Sequence, residues 1–120
     1  MATPDGKRPI YDLEERTAKF GEVIIGFCKR IKATTITIPL IGQLVKSATS
    51  VGANYCEADD AVSKKEFRFK IATCKKESRE TKHWLRMLAA ADETIVEEAR
   101  RHWQEAKELH LIIAAIWRKQ

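Results

Sequence analysis

The 120-residue chain (13.7 kDa) is 44% hydrophobic and 32% charged. That balance excludes a disordered polypeptide and suffices for one core, because a chain of this size buries about two-thirds of its unfolded surface. No stretch approaches the roughly 20 apolar residues that span a bilayer, Met1 to Pro9 lack the apolar centre of a secretory signal, and three cysteines point to a reducing compartment rather than a disulfide framework.

One domain is expected over 1–120, opening with a disordered tail over 1–10. Apolar residues then recur at steps of four and three, the helical signature, in four segments. The first, 12–33, carries Leu13, Thr17, Phe20, Ile24, Phe27 and Ile31, with Asp12 and Glu15 as a capping pair. The β-branched run Thr34-Thr35-Ile36-Thr37-Ile38 disfavours helix and reads as an extended connector. Pro39 suits the first turn of a second helix, 39–57, which carries Ile41, Leu44, Ala48, Val51 and Tyr55. Asp59 to Val62 form the next connector.

Ser63 and Glu66 make a capping box for a third helix, 64–91, with Phe67, Ile71, Cys74, Ser78, Thr81, Leu85 and Leu88 on one stripe. Thr94 and Glu97 make another for a fourth, 95–118, with Val96, Ala99, Trp103, Ala106, His110, Ile113 and Trp117. Short connectors and periods near 3.5 predict an all-α, antiparallel up-down-up-down four-helix bundle. Its expected core includes Phe20, Phe27, Leu44, Phe67, Leu85 and Trp103. Gly21, Gly26, Gly42 and Gly52 fall inside helices, where each costs about 1 kcal/mol relative to Ala, so close packing of the first two helices is expected, on each other or on a neighbouring subunit. Between Leu109 and Trp117 only His110 is polar. A helix apolar all round needs a second burying surface, which points to an oligomer.

Catalytic signatures are sparse. There is no GxGxxG, GxxxxGK[ST], GxSxG, HExxH or CxxC. Cys28, Cys56 and Cys74 lie on three helices without ligand spacing, and Cys74 reads as a core residue. Glu80 and His83 form half of a di-iron motif, but the second half fails because Ala99 stands three residues before His102. No enzyme, metal or other cofactor is expected.

The +5 net charge is concentrated. Residues 1–62 hold eight Lys/Arg against eight Asp/Glu, residues 63–91 nine against three, and residues 92–120 five against six. Lys64, Arg68, Lys75, Arg79, Lys82 and Arg86 step by 4, 7, 4, 3 and 4, which aligns them on one stripe about 33 Å long. Lys65, Lys70 and Lys76 widen it. Such a ridge suits the phosphates of RNA or DNA. No aromatic residue interleaves with it in sequence, so base stacking is expected to be minor. The alternative is a solvated face balanced by Glu from a neighbouring helix or subunit, with Glu97, Glu98, Glu105 or Glu108 of the fourth helix forming inter-subunit pairs, on a scaffold that docks only a protein partner. A membrane partner is not expected, because the apolar face of this helix is used by the core.

The block from Gln43 to Tyr55 (QLVKSATSVGANY), Glu57-Ala58, and Ser63-Lys64-Lys65-Glu66-Phe67 resemble the four-helix bundle proteins first noticed in intervening sequences of bacterial 23S ribosomal RNA genes. Tyr11-Asp12-Leu13-Glu14 and the stretch from Lys75 to Leu85 extend the likeness over about residues 11–118. The resemblance implies a cytoplasmic bacterial protein, assembled as a homopentamer and without established enzymatic activity. It also implies kinship with accessory proteins of diversity-generating retroelements, which bind nucleic acid and a reverse transcriptase through a basic pentameric barrel. The chain departs from the commonest pattern at Gly52, where many relatives have Pro or another small residue, and at Ala58, where Gly is usual. These departures leave its branch, and the nucleic-acid partner, open.

Overall fold

The computed structural model describes residues 12–120, so the expected tail over 1–10 and Tyr11 lie outside the described residues. Four helices, α1 (Leu13–Lys29), α2 (Thr37–Asp59), α3 (Lys64–Ala91) and α4 (Val96–Arg118), are joined by short turns, and there is no strand among the described residues. Each helix packs along the next in sequence, while α1 meets α4 mostly through long side chains.

Local chemistry sets the ends. Ser63 Oγ accepts the Glu66 backbone N–H at 3.0 Å and starts α3 where the capping box places it. At α1, Asp12 occupies the N-cap position, but its side chain makes no capping bond to the helix. The helix also stops four residues before the expected Ala33. Backbone N–H groups of Arg30 and Ile31 turn back to Phe27 and Cys28, and Ile31 is drawn inward and buried.

The β-branched run is not an extended connector. Thr34 Oγ1 accepts the Thr37 N–H at 3.0 Å, and Thr37 Oγ1 accepts the Thr34 N–H at 2.9 Å, so two threonines reproduce a capping box and start α2 at Thr37. Hydroxyl capping outweighs the weak helix propensity of β-branched residues. Before α4 the cap is Asp92 rather than the expected Thr94. Its carboxylate accepts from the Thr94 N–H and hydroxyl, and a single 3-10 turn, Glu93–Ile95, precedes the helix.

The core joins Phe20, Ile24 and Phe27 of α1, Leu44 and Val51 of α2, Ile71 and Leu85 of α3, and Leu109 and Ile113 of α4. Two expected core residues are corrected. Phe67 and Trp103 are only half-buried and pack against its edge. On α4 the buried stripe runs through Ala99, Ala106, Leu109 and Ile113, which rotates Trp103, His110 and Trp117 towards the α3 side. A polar seam crosses the interior, where the Thr81 hydroxyl donates to Glu77 O at 2.8 Å and lies 3.0 Å from Ser47 Oγ of α2. Cys74 Sγ lies 3.5 Å from Val51 O.

The glycines divide. A Cβ on Gly52 would stand 3.3 Å from the Thr17 carbonyl, and one on Gly21 3.6 Å from Thr49, so these two bring α1 and α2 together. Around Gly26 and Gly42 there is open space.

Candidate nucleic-acid interface

The six ridge residues lie on α3, with Lys64 at its first position; Lys75 and Lys82 are half-buried and the other four exposed. Their flank meets the heptad stripe Trp103, His110 and Trp117 of α4. The Arg68 guanidinium and the Lys75 ammonium each sit 4.4 Å from the centre of the Trp117 ring. Lys82 lies 5.5 Å from the Trp103 ring, with Lys107 of α4 at 5.8 Å. Desolvation is the main cause that lowers the His110 pKa, and the nearby charges of Lys82, Lys75 and Arg79 push the same way. The stripe is therefore a row of cations laid against aromatic faces.

The aromatic contribution was hidden in the sequence because it comes from another helix. Arg68, Lys75 and Lys82 repeat every seven residues, as do Trp103, His110 and Trp117. Equal spacing is the signal that would have paired them, since two helices in contact over their length keep register every two turns.

Three of the four carboxylates proposed to neutralise the ridge, Glu98, Glu105 and Glu108, are engaged elsewhere within the chain, and Glu97 is exposed. Arg16 of α1 donates two parallel bonds of 2.8 Å to Glu105 and a third of 2.9 Å to Glu108. Arg30 holds Glu98 through bonds of 2.8 and 2.9 Å, and His102 Nε2 lies 3.0 Å from the same carboxylate. Among the described residues none of the six ridge cations pairs with a carboxylate. Lys70 does not widen the ridge. It turns to Glu57 of α2 in an ion pair.

Other reactive groups are placed differently. Glu80 and His83 are exposed on α3, and among the described residues no group of three or more His, Cys, Asp or Glu is arranged to hold a metal ion. Burial pushes the thiol of Cys28 up to about 11 and that of Cys74 up to about 12, so both stay protonated at neutral pH. Cys56 is exposed. No helix among the described residues is long and apolar enough to cross a membrane.

The family model for the 23S rRNA-intervening sequence protein matches residues 12–115. The chain belongs to this family. A solved structure of a protein of unknown function from the S23 ribosomal protein family of Bacteroides thetaiotaomicron superposes with a TM-score of 0.77 at 25% identity, covering 88% of this chain and 97% of that one. A search of curated proteins finds no match. The family match takes in all of α1, α2 and α3 and stops three residues before the end of α4, so both helices that build the basic flank lie within it almost completely.

Proposed function

We propose that this member of the 23S rRNA-intervening sequence protein family is a non-enzymatic, cytoplasmic oligomer that binds the backbone of RNA or DNA along the α3 ridge. One observation carries the reading: six aligned cations have no carboxylate partner among the described residues, while Glu98, Glu105 and Glu108 of α4 are held by Arg16 and Arg30. A face of uncompensated charge is complementary to a polyanion.

The same reading takes the helices as an antiparallel up-down-up-down bundle. Contacts whose residue numbers run in opposite senses support it: Thr17 with Gly52 and Gly21 with Thr49, Val51 with Cys74 and Ser47 with Thr81, Arg68 with Trp117 and Lys82 with Trp103. Assembly as a homopentamer is the state that the resemblance implies. Its physical support is the end of α4, where Leu111 is 57% exposed and Ile112, Ile116 and Trp117 are half-buried in the single chain. A closed ring repeats the ridge and adds weak contacts through multivalency. In the retroelement branch such an assembly also engages a reverse transcriptase, which is the protein partner to test first.

Fluorescence anisotropy with labelled RNA and DNA across a salt series tests the reading. Affinity is expected to fall with a log-log slope of about −0.9 per phosphate neutralised on duplex DNA and about −0.7 on single strands. Arg79→Glu with Lys82→Glu should abolish binding without changing helicity or the mass seen by light scattering. Absence of binding at about 50 mM salt, or binding indifferent to both reversals, leaves a protein-only scaffold as the better account.

A further inference from the structure

Near the turn from α3 to α4 a groove of about 300 Å³ lies between the two helices. Its floor is apolar, made by the buried side chains of Leu85 and Ala99 and the half-buried ones of Ala89 and Val96. Trp103 forms a wall. Arg86 and Arg100 stand exposed at the mouth, one from each helix, and neither has a carboxylate partner among the described residues. Lys82 and Lys107, both within 6 Å of the Trp103 ring, add charge to the same end of the ridge.

The complement of this lining is a body that is flat and apolar on its faces and carries an anion at its edge. The floor offers no hydrogen-bonding side chain to satisfy a polar occupant, so the occupant must be recognised by its faces and by its charge. The indole carries a π face, over which the flexible side chains of Lys82 and Lys107 lie and which a base takes by displacing one of them, and the two guanidiniums suit bidentate contact to phosphate oxygens. A base inside a duplex has both faces covered by its neighbours and cannot enter. An unpaired base in a single strand, a loop or a bulge has free faces and a phosphate alongside.

We propose that this groove receives an unpaired nucleobase of the bound strand, stacked on Trp103, with the adjoining phosphate held between Arg86 and Arg100. The inference rests on the backbone-binding reading above and adds to it a preference for single-stranded over duplex nucleic acid. It also reverses the expectation that stacking is minor. Because every base has a π face, the groove gives strand selectivity with little sequence selectivity. Arg100, which lies outside the third-helix ridge, becomes part of the interface.

The test compares a labelled thymidine homopolymer of about 16 nucleotides with an abasic strand of the same length and charge. The native protein should bind the abasic strand about tenfold more weakly, the usual loss of one stacked base. Trp103→Leu should lower affinity for the base-bearing strand to the abasic level and leave the abasic strand unaffected. Arg100→Ala, a change at an exposed position that does not depend on refilling the groove, should weaken the base-bearing strand more than Arg101→Ala does. Circular dichroism and light scattering should show unchanged helicity and mass. Equal binding of both strands by the native protein overturns the proposal while leaving backbone binding intact. Failure of both strands to bind removes the backbone reading and the groove together. A change of oligomeric mass in Trp103→Leu assigns the groove to contact between copies of the chain and also overturns the proposal.

Discussion

Gly52 lies against Thr17 so closely that a methyl group in place of its hydrogen would stand 3.3 Å from both the carbonyl carbon and the carbonyl oxygen of Thr17. The obstacle is backbone, which cannot swing aside as a side chain does. Replacing helical glycine with alanine ordinarily gains about 1 kcal/mol, so the two effects oppose each other. Gly52→Ala should gain nothing or lose stability, and Gly52→Leu should destabilise by about 1–3 kcal/mol through overpacking. Gly42→Ala, in open space, should stabilise by about 0.5–1 kcal/mol. Urea denaturation of the three variants checks the contrast, and equal responses at positions 42 and 52 would contradict the assigned packing.

Burial separates the aromatic residues in the same way. Phe27 is fully buried and meets the His102 ring edge-on at 4.9 Å, whereas Phe67 is half-buried at the edge of the core. Phe27→Ala should cost about 3–5 kcal/mol, enough to threaten folding of a domain this size, and Phe67→Ala clearly less. Thermal and urea unfolding measure both.

The fold was legible wherever a pattern was local. The span of α3 and the Ser63 cap follow from residues next to one another. The start of α2 escapes the sequence pattern because Thr34 and Thr37 cap each other through side chains that propensity counts as unfavourable. The site was half legible. The cations of the ridge lie on one helix and could be read from spacing. The tryptophans and histidine facing them belong to α4, where their spacing assigns them to the core stripe and the rotation of the helix moves them off it, towards α3. The engagement of Glu105 and Glu108 by Arg16, about 90 residues away, has no trace in local sequence.

Acid should expose the link between α1 and α4. The bonds from Arg30, with a further contribution from His102, hold the Glu98 carboxyl down at about 2. A depressed carboxylate contributes stability that is complete above its ordinary value near 4.5 and is lost as pH falls towards about 2. Arg30 is exposed, so solvent screening keeps the contribution of Glu98 to about 1 kcal/mol. Glu98→Gln should therefore lower stability at neutral pH and show a shallower loss between about pH 4.5 and 2 than the native protein. Unfolding curves recorded through that window provide the measurement.

His110 should tie nucleic-acid binding to pH with a sign opposite to its effect on the free protein. Burial, and then Lys82, Lys75 and Arg79, lower its pKa below the ordinary value of 6.5. In the free protein the unfolded chain takes up this proton more readily than the folded one, so stability contributed by neutral His110 is present above 6.5 and declines as pH falls through that value towards the folded pKa. A phosphate backbone laid on Lys75, Arg79 and Lys82 cancels part of the field that opposes protonation. The His110 pKa then rises on binding, and binding takes up a fraction of a proton. Affinity should strengthen, by less than about tenfold, as pH is lowered from about 7.5 to 5.5. His110→Gln should flatten this dependence while retaining binding at about pH 7.5. His83→Gln, at an exposed position on α3, is the control that should leave it in place. Anisotropy titrations of the native protein and both variants at fixed ionic strength supply the measurement. A pH dependence that survives His110→Gln would assign it to another titrating group and remove the coupling through His110.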